Sequence, residues 1–169
     1  MLQFQRLELL LKHLLRCHQG SYTVESLADE IPLGLKEQEK RTLGGLAGDL
    51  FQKVIQKKTD GDEDPAHGAD PTKFSHRFVI TTSEENHQEW HCRLKALVEE
   101  RNQLVHLSLL TWDLETIEGC QAVVAELDER RGRIGAELEK VILYHDSMMQ
   151  CLEHLHEDLK RVAKNGETK

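Results

Sequence analysis

Residues 2–18, LQFQRLELLLKHLLRCH, decide the fold class, because their leucines recur at spacings of three and four residues. This period places the apolar side chains on one face of a helix and the charged ones on the other. The sequence therefore predicts an amphipathic helix over 2–18 with a buried face, and Gly20 as its stop. The leucines of that face are Leu7, Leu10, Leu11, Leu14 and Leu15.

A second main helix is predicted over about 36–56, after a short helical turn at 23–28. Its apolar side carries leucines, Phe51 and Val54. Three glycines in this stretch lower its helix propensity, and small residues at such spacing indicate that another helix passes close by. They are Gly44, Gly45 and Gly48.

The middle of the chain is predicted to be irregular. Residues 59–72, TDGDEDPAHGADPT, contain almost no apolar side chain, so we expect a flexible acidic loop over 58–73. Residues 73–82, KFSHRFVITT, are predicted to form a short extended piece on the bundle. Ser83 is a good N-cap for a third helix, because acidic residues follow it in the first turn.

The C-terminal third carries a long 4-3 apolar repeat that begins at Cys120 and includes Val124 and Leu127. We expect the fourth helix to begin near Thr111 or Asp113. The glycines in the segment RRGRIG (130–135) predict a kink, giving helices of about 114–131 and 134–163. A straight helix of about 50 residues would span roughly 75 Å, which is too long to pack within one compact domain.

Composition limits the function. At 169 residues the chain fits one domain, predicted over 1–169 with a disordered tail at 164–169. The net charge of −8 disfavours a general nucleic-acid binder, so an RNA contact must be local or lie between subunits. There is no apolar run of membrane-spanning length and no signal-peptide pattern, so we expect a cytoplasmic protein without a membrane partner. The four cysteines form no CxxC pair and are expected to be free thiols.

The residues that carry chemistry lie in the third helix, in the segment Arg101-Asn102-Gln103-Leu104-Val105-His106. A guanidinium is always charged and suits phosphate oxygens, and an imidazole exchanges protons near neutral pH. Together they can cut RNA without a metal: a base deprotonates the ribose 2′-OH, and a cation stabilises the phosphorane.

The placement of Arg101 leaves two interpretations open. At about 100° per residue, Arg101 falls among the apolar positions of its helix, where an unpaired guanidinium is costly. It also lies about 140° around the helix from His106, so a helix end or a second subunit would have to unite the two. Alternatively, Arg101 pairs with a carboxylate such as Glu99, and His106 only caps or packs.

The string RNQLVH, the segment TLGGLAGDL (42–50) and the opening LELLLKHLL helix (7–15) resemble the HEPN superfamily. This resemblance implies an all-α bundle of four to five helices that dimerises and cuts RNA without a metal, with Arg101, Asn102 and His106 as catalytic residues. It implies an RNA substrate, and a role as the toxin of a toxin–antitoxin or phage-defence system with an antitoxin protein as partner. No Tyr lies two residues before His106, where one toxin subgroup has it; Leu104 is there. The alternative function is a non-catalytic dimerisation or protein-interaction module, which the acidic charge and the long repeat favour.

Other candidate sites are weaker, and no cofactor or metal is expected. His87 and His91 have the spacing of a metal pair, although solvated helix histidines are the favoured interpretation. No phosphate-binding glycine loop is present. Two basic clusters could hold a phosphate backbone, although a solvated face is the default for each. They are Lys53, Lys57 and Lys58, and Arg130, Arg131 and Arg133.

Overall fold

The computed structural model describes residues 2–23, 41–58 and 73–166. Its helices are α1 (Leu2–Cys17), α2 (Leu43–Asp49), α3 (Glu84–His106), α4 (Ser108–Thr111) and α5 (Ile117–Gly166), with a π-helical turn (Leu50–Val54) directly after α2. Its strands are β1 (Gln19–Thr23), β2 (Ile55–Lys57), β3 (Lys73–Arg77) and β4 (Ile80–Thr82). The predicted predominance of helix is confirmed, and the two small sheets described below are additions that an all-α class does not contain.

The core forms where α1, α2, α3 and the middle of α5 meet. The leucine face of α1 is buried as predicted, although Leu10 is only partly buried. α1 packs along α5, and one of the side-chain contacts between them joins the imidazoles of His13 and His145. The fully buried side chains at the centre are Leu7, Leu11, Leu14, Leu46, Leu50, Val54, Ile55, Leu94, Val141 and Met148.

Two ion pairs fix α3 against α5. Arg93 Nε donates to Glu137 Oε1 at 2.8 Å, and Arg133 Nε donates to Glu100 Oε1 at 2.9 Å. The residue on α3 with the higher number, Glu100, pairs with the residue on α5 with the lower number, Arg133. The two helices therefore run antiparallel. The C-terminal end of α3 therefore lies beside the N-terminal part of α5.

Two short sheets connect the helices. β1 pairs with β3 in antiparallel register, with Gly20 opposite His76, and β2 pairs with β4 in parallel register, with Ile55 opposite Ile80. The predicted extended piece at 73–82 is thus confirmed as two strands. The predicted stop at Gly20 is wrong: α1 ends at Cys17, and Gly20 lies inside a strand.

The second helix is shorter than predicted. It begins after Thr42, whose hydroxyl accepts a bond from the Gly45 amide, and the helical segment ends at Val54, so Gln56 belongs to a strand. The parallel ladder to β4 gives the backbone of β2 an alternative set of hydrogen bonds. The predicted close approach of another helix holds at Gly44, where a Cβ would lie 3.3 Å from Val98.

The predicted break in the last helix is wrong. α5 continues through Gly132 and Gly135, and it begins at Ile117 rather than near Thr111 or Asp113. Each glycine costs a helix only about 1 kcal/mol, and ion pairs four residues apart, such as Glu129 with Arg133, support the same stretch. A continuous helix of this length was expected not to pack within one compact domain. It is accommodated because the N-terminal part of α5 extends past the core, which α5 joins from Ile134 onward.

Several predictions fall outside the described residues. These are most of the acidic loop at 58–73, most of the helical turn at 23–28, and 36–40 of the predicted second helix. Within the described part, Thr23 lies in a strand, and residues 164–166 belong to α5, which corrects the predicted tail. All four cysteines are free thiols, and no helix among the described residues could cross a membrane.

Candidate functional site

The helix that carries the RNQLVH segment has well-defined ends. The Ser83 hydroxyl accepts a hydrogen bond from the Asn86 amide at 3.3 Å, which caps the N-terminus as predicted. At the other end, the Leu107 amide donates to Gln103 O at 2.8 Å, and His106 is the last helical residue. The candidate catalytic residues therefore occupy the last turn and a half of α3.

Arg101 lies at the edge of the core, partly buried, and its guanidinium is not engaged by a carboxylate in the part of the chain that the structure describes. Its Nη1 donates to Asn102 Oδ1 at 3.1 Å. The expected alternative, an ion pair with Glu99, is not formed. The fully buried positions of α3 end at Leu97, so Arg101 avoids the desolvation cost that its helical-wheel position suggested.

Asn102 and His106 are both exposed. The His106 ring is exposed and has no hydrogen-bond partner among the described residues, so it is open to a substrate. Arg101 and His106 make no contact with each other, as their 140° separation predicts. One protomer thus presents the three residues on one helix end without closing them into a site.

A cluster of exposed apolar side chains follows the motif directly. We call Leu107, Leu110, Leu114, Ile117 and Val124 the apolar patch. Leu110 is 84% exposed and Ile117 is 74% exposed, and Leu114, Ile117 and Val124 line one shallow pocket. Val124, in the predicted apolar repeat of α5, is 59% exposed, whereas the neighbouring Val123 is buried.

The segment between α3 and α5 is tied to α5 by polar contacts. Trp112 Nε1 donates to Glu126 at 3.1 Å, and Asp113 accepts the Thr116 hydroxyl at 2.7 Å at the start of α5. The pKa of Asp113 is lowered, first by the Thr116 hydroxyl and then by the Glu115 amide. These contacts fix the stretch between Leu110 and Leu114 of the apolar patch to the start of α5.

The residues of the two predicted basic clusters differ in whether a carboxylate neutralises them. Lys53 and Lys57 pair with Asp49 and Glu84. On α5, Arg133 is bound to two carboxylates and Arg130 to one. Arg131 is exposed and has no acidic partner among the described residues.

The histidine pair at 87 and 91 packs rather than ligates. Both rings meet Phe51 edge-on, with centroids 5.3 and 4.9 Å away. The described segments contain no group of three or more His, Cys, Asp or Glu arranged to hold a metal.

A histidine pair that the sequence did not reveal joins α1 to α5. His13 Nδ1 lies 2.8 Å from His145 Nε2, and Cys17 Sγ lies 4.0 Å from the His13 ring nitrogens. Burial lowers the pKa of His13, and the nearby charges of His145 and Arg16 lower it further. Burial raises the pKa of the Cys17 thiol, so this cysteine stays protonated and unreactive at neutral pH.

Comparison with known proteins finds no match: neither a family model, nor a curated protein, nor a solved structure is significantly similar to this chain.

Proposed function

We propose that the chain is a metal-independent endoribonuclease of the HEPN type that acts as a homodimer in the cytoplasm. The observation that carries this proposal is the state of Arg101. In an acidic protein, this guanidinium stands at a helix end beside Asn102 and is not neutralised by a carboxylate among the described residues. Such a cation is available to a phosphate, whereas an arginine that serves packing is normally paired.

Each residue has a distinct task in the reaction. His106 takes the proton from the ribose 2′-OH, and the 2′-oxygen attacks the adjacent phosphorus. Arg101 stabilises the charge of the phosphorane, and Asn102 orients Arg101 through their hydrogen bond. The bond from phosphorus to the 5′-oxygen breaks, and a second imidazole protonates that leaving oxygen. The products are a 2′,3′-cyclic phosphate and a 5′-hydroxyl.

The second imidazole and a closed cleft require a second subunit. The apolar patch begins directly after His106 and is exposed in the isolated chain. Burying it against a second copy would bring two His106 and two Arg101 residues to one interface. A role as the toxin of a toxin–antitoxin or phage-defence system, held in check by an antitoxin protein, belongs to the same proposal.

The test is a digest of total RNA and transfer RNA with purified protein in EDTA. We expect cleavage that survives the chelator and leaves 2′,3′-cyclic phosphate ends. His106→Ala and Arg101→Ala should each abolish cleavage while leaving the protein folded. The exposed residues His154 and Arg161 on α5 supply matched controls, His154→Ala and Arg161→Ala, which should cut normally. Strict dependence on a divalent ion would contradict the mechanism.

The second candidate is a non-catalytic dimerisation or interaction module, and the apolar patch favours it as well. The two functions differ in one outcome. A module would dimerise through the patch while the wild-type protein leaves every RNA intact, and His106→Ala would change nothing.

A further inference from the structure

A groove runs beside the motif, between the N-terminus of α1, the end of α3 and the first half of α5. It has a volume of about 610 Å³. Its walls include the apolar side chains of Phe4, Leu104, Leu127 and Ile134, and Arg130 and Arg131 lie along it. An apolar groove with cations beside it suits a ligand that has a flat apolar part and an anionic part.

The two arginines are unevenly neutralised. Arg130 is largely buried; its Nη2 is bound to Glu126, but its Nη1 is buried without a partner among the described residues. Arg131 is exposed and unpaired in the same part of the chain. Asp128 also lines the groove and repels an anion, so the favourable place for a phosphate is beside Arg131.

The groove is adjacent to the proposed catalytic residues. Leu104 lies one helical turn after Arg101 on α3 and forms part of the groove wall. The ion pair between Glu100 and Arg133 fixes the level at which α3 meets α5. Arg131 and Leu104 line this same groove, so a chain bound beside Arg131 comes within one helical turn of Arg101 along α3.

We propose that this groove binds one unstacked nucleotide of single-stranded RNA, next to the cleaved bond, with its base against Leu104 and Leu127 and its phosphate on Arg131. This inference rests on the proposed function and names the form of its substrate. A paired base must give up its pairing and stacking to enter a groove, whereas an unstacked base offers its apolar faces at little cost. The protein would therefore select loops and single strands over duplex RNA.

Binding can be measured apart from cleavage with a fluorescein-labelled single-stranded 2′-O-methyl oligoribonucleotide, which lacks the 2′-OH needed for the reaction. We expect Arg131→Gln to weaken binding by about 3- to 10-fold in fluorescence anisotropy. Its salt dependence should fall by about 0.7 in the slope of log K against log salt, the value for one lost phosphate contact on a single strand. Arg161→Gln, an equal charge change on an exposed part of α5, should stay within about 2-fold of wild type.

The binding and cleavage experiments test the groove inference and the proposed nuclease activity separately. If the oligonucleotide binds through Arg131 but RNA is never cut, the groove stands as a binding site for single-stranded RNA, and the endoribonuclease and its cleaved bond fall. If RNA is cut in EDTA while Arg131→Gln binds like wild type, the endoribonuclease stands and the groove inference is wrong. Equal affinity for a duplex of the same sequence would also overturn it, as would the absence of any binding by the wild-type protein.

Discussion

His13 and His145 lie 132 residues apart in sequence, yet their ring nitrogens approach to 2.8 Å and join α1 to α5. Only one proton fits between the two facing nitrogens, because two would repel each other at this distance. Asp146 Oδ1 lies 3.1 Å from the other ring nitrogen of His145. The contact thus requires at least one of the two facing nitrogens to be unprotonated.

This pair predicts a loss of stability in mild acid. The pKa of His13 is lowered from its ordinary 6.5, chiefly by burial, and the pKa of buried His18 is lowered for the same main reason. The unfolded chain then binds more protons than the folded chain below about pH 6.5, so the free energy of unfolding falls as the pH drops through that value. We expect the melting temperature to decrease by a few degrees between pH 7.5 and 5.5.

His13→Gln removes the titrating ring and should reduce this decrease, while His154→Gln, on an exposed position of α5, should reproduce the wild-type decrease. Thermal melts of the three proteins at both pH values decide the matter. An unchanged pH dependence in His13→Gln would assign the acid sensitivity to other groups.

Two glycines of α5 should respond in opposite ways to alanine. A Cβ on Gly119 would overlap the backbone carbonyl of Asp113 and disturb the cap of α5, so Gly119→Ala should destabilise the fold by about 1–3 kcal/mol. A Cβ on Gly132 meets nothing within 4 Å, so Gly132→Ala should stabilise it by about 0.5–1 kcal/mol. Urea denaturation of both variants measures the difference. Stabilisation by Gly119→Ala would contradict the described cap.

Replacing Arg93 and replacing Glu137, the two partners of one ion pair, should lower the free energy of unfolding by different amounts. Glu137 is only 4% exposed, and one of its oxygens has no partner among the described residues, whereas Arg93 reaches solvent and also pairs with Glu89. Arg93→Ala strands a buried carboxylate that only Lys140, 3.6 Å away, still approaches, so we expect a cost of about 2–4 kcal/mol.

Glu137→Gln leaves the arginine solvated and removes the buried charge, so it should cost about 1 kcal/mol. Chemical denaturation of the two single variants tests the order. An equal or larger loss for Glu137→Gln would show that the carboxylate is less confined than its burial indicates.

The apolar patch predicts a dimer. Light scattering at micromolar concentration should give twice the chain mass of 19.4 kDa. Replacing Leu114 and Ile117 with lysine should yield a folded monomer, because both side chains are exposed in the single chain and only the partner contact is lost. Leu143→Lys, at an equally exposed position near the middle of α5, is the control and should remain dimeric. A monomeric wild-type protein would remove the shared cleft.

Local signals in the sequence were sufficient for several elements. The leucine period located α1 to within a residue, and Ser83 with its acidic neighbours located the start of α3. The glycines at 132 and 135 misled because they lower helix propensity by an amount that a long helix with flanking ion pairs tolerates. β1 (QGSYT) has no alternation of apolar and polar residues, so only its long-range partner reveals it as a strand.

Some features of the candidate site could also be predicted from the sequence, whereas others depend on tertiary packing. The residue types and the resemblance to the HEPN superfamily pointed to Arg101, Asn102 and His106, but the partial burial of Arg101 depends on where the core ends along α3, which is a tertiary property. The pairing of His13 with His145 likewise depends on the packing of α1 against α5. The leucines at 107, 110 and 114 are spaced three and four residues apart, but this spacing does not determine whether their side chains are buried or exposed. In the structure all three are exposed.

The packing of α1 against α5 has a consequence for synthesis. α1 leaves the ribosome before the other described elements, and the residues of α5 that share its core are made more than a hundred residues later. Until Val141 and Met148 emerge, that face stays partly uncovered and is open to aggregation or to a chaperone. The long-range closure should make folding slower than in helical proteins whose contacts are mainly local. A messenger truncated before α5 would therefore yield a chain whose most apolar helix has lost its main partner.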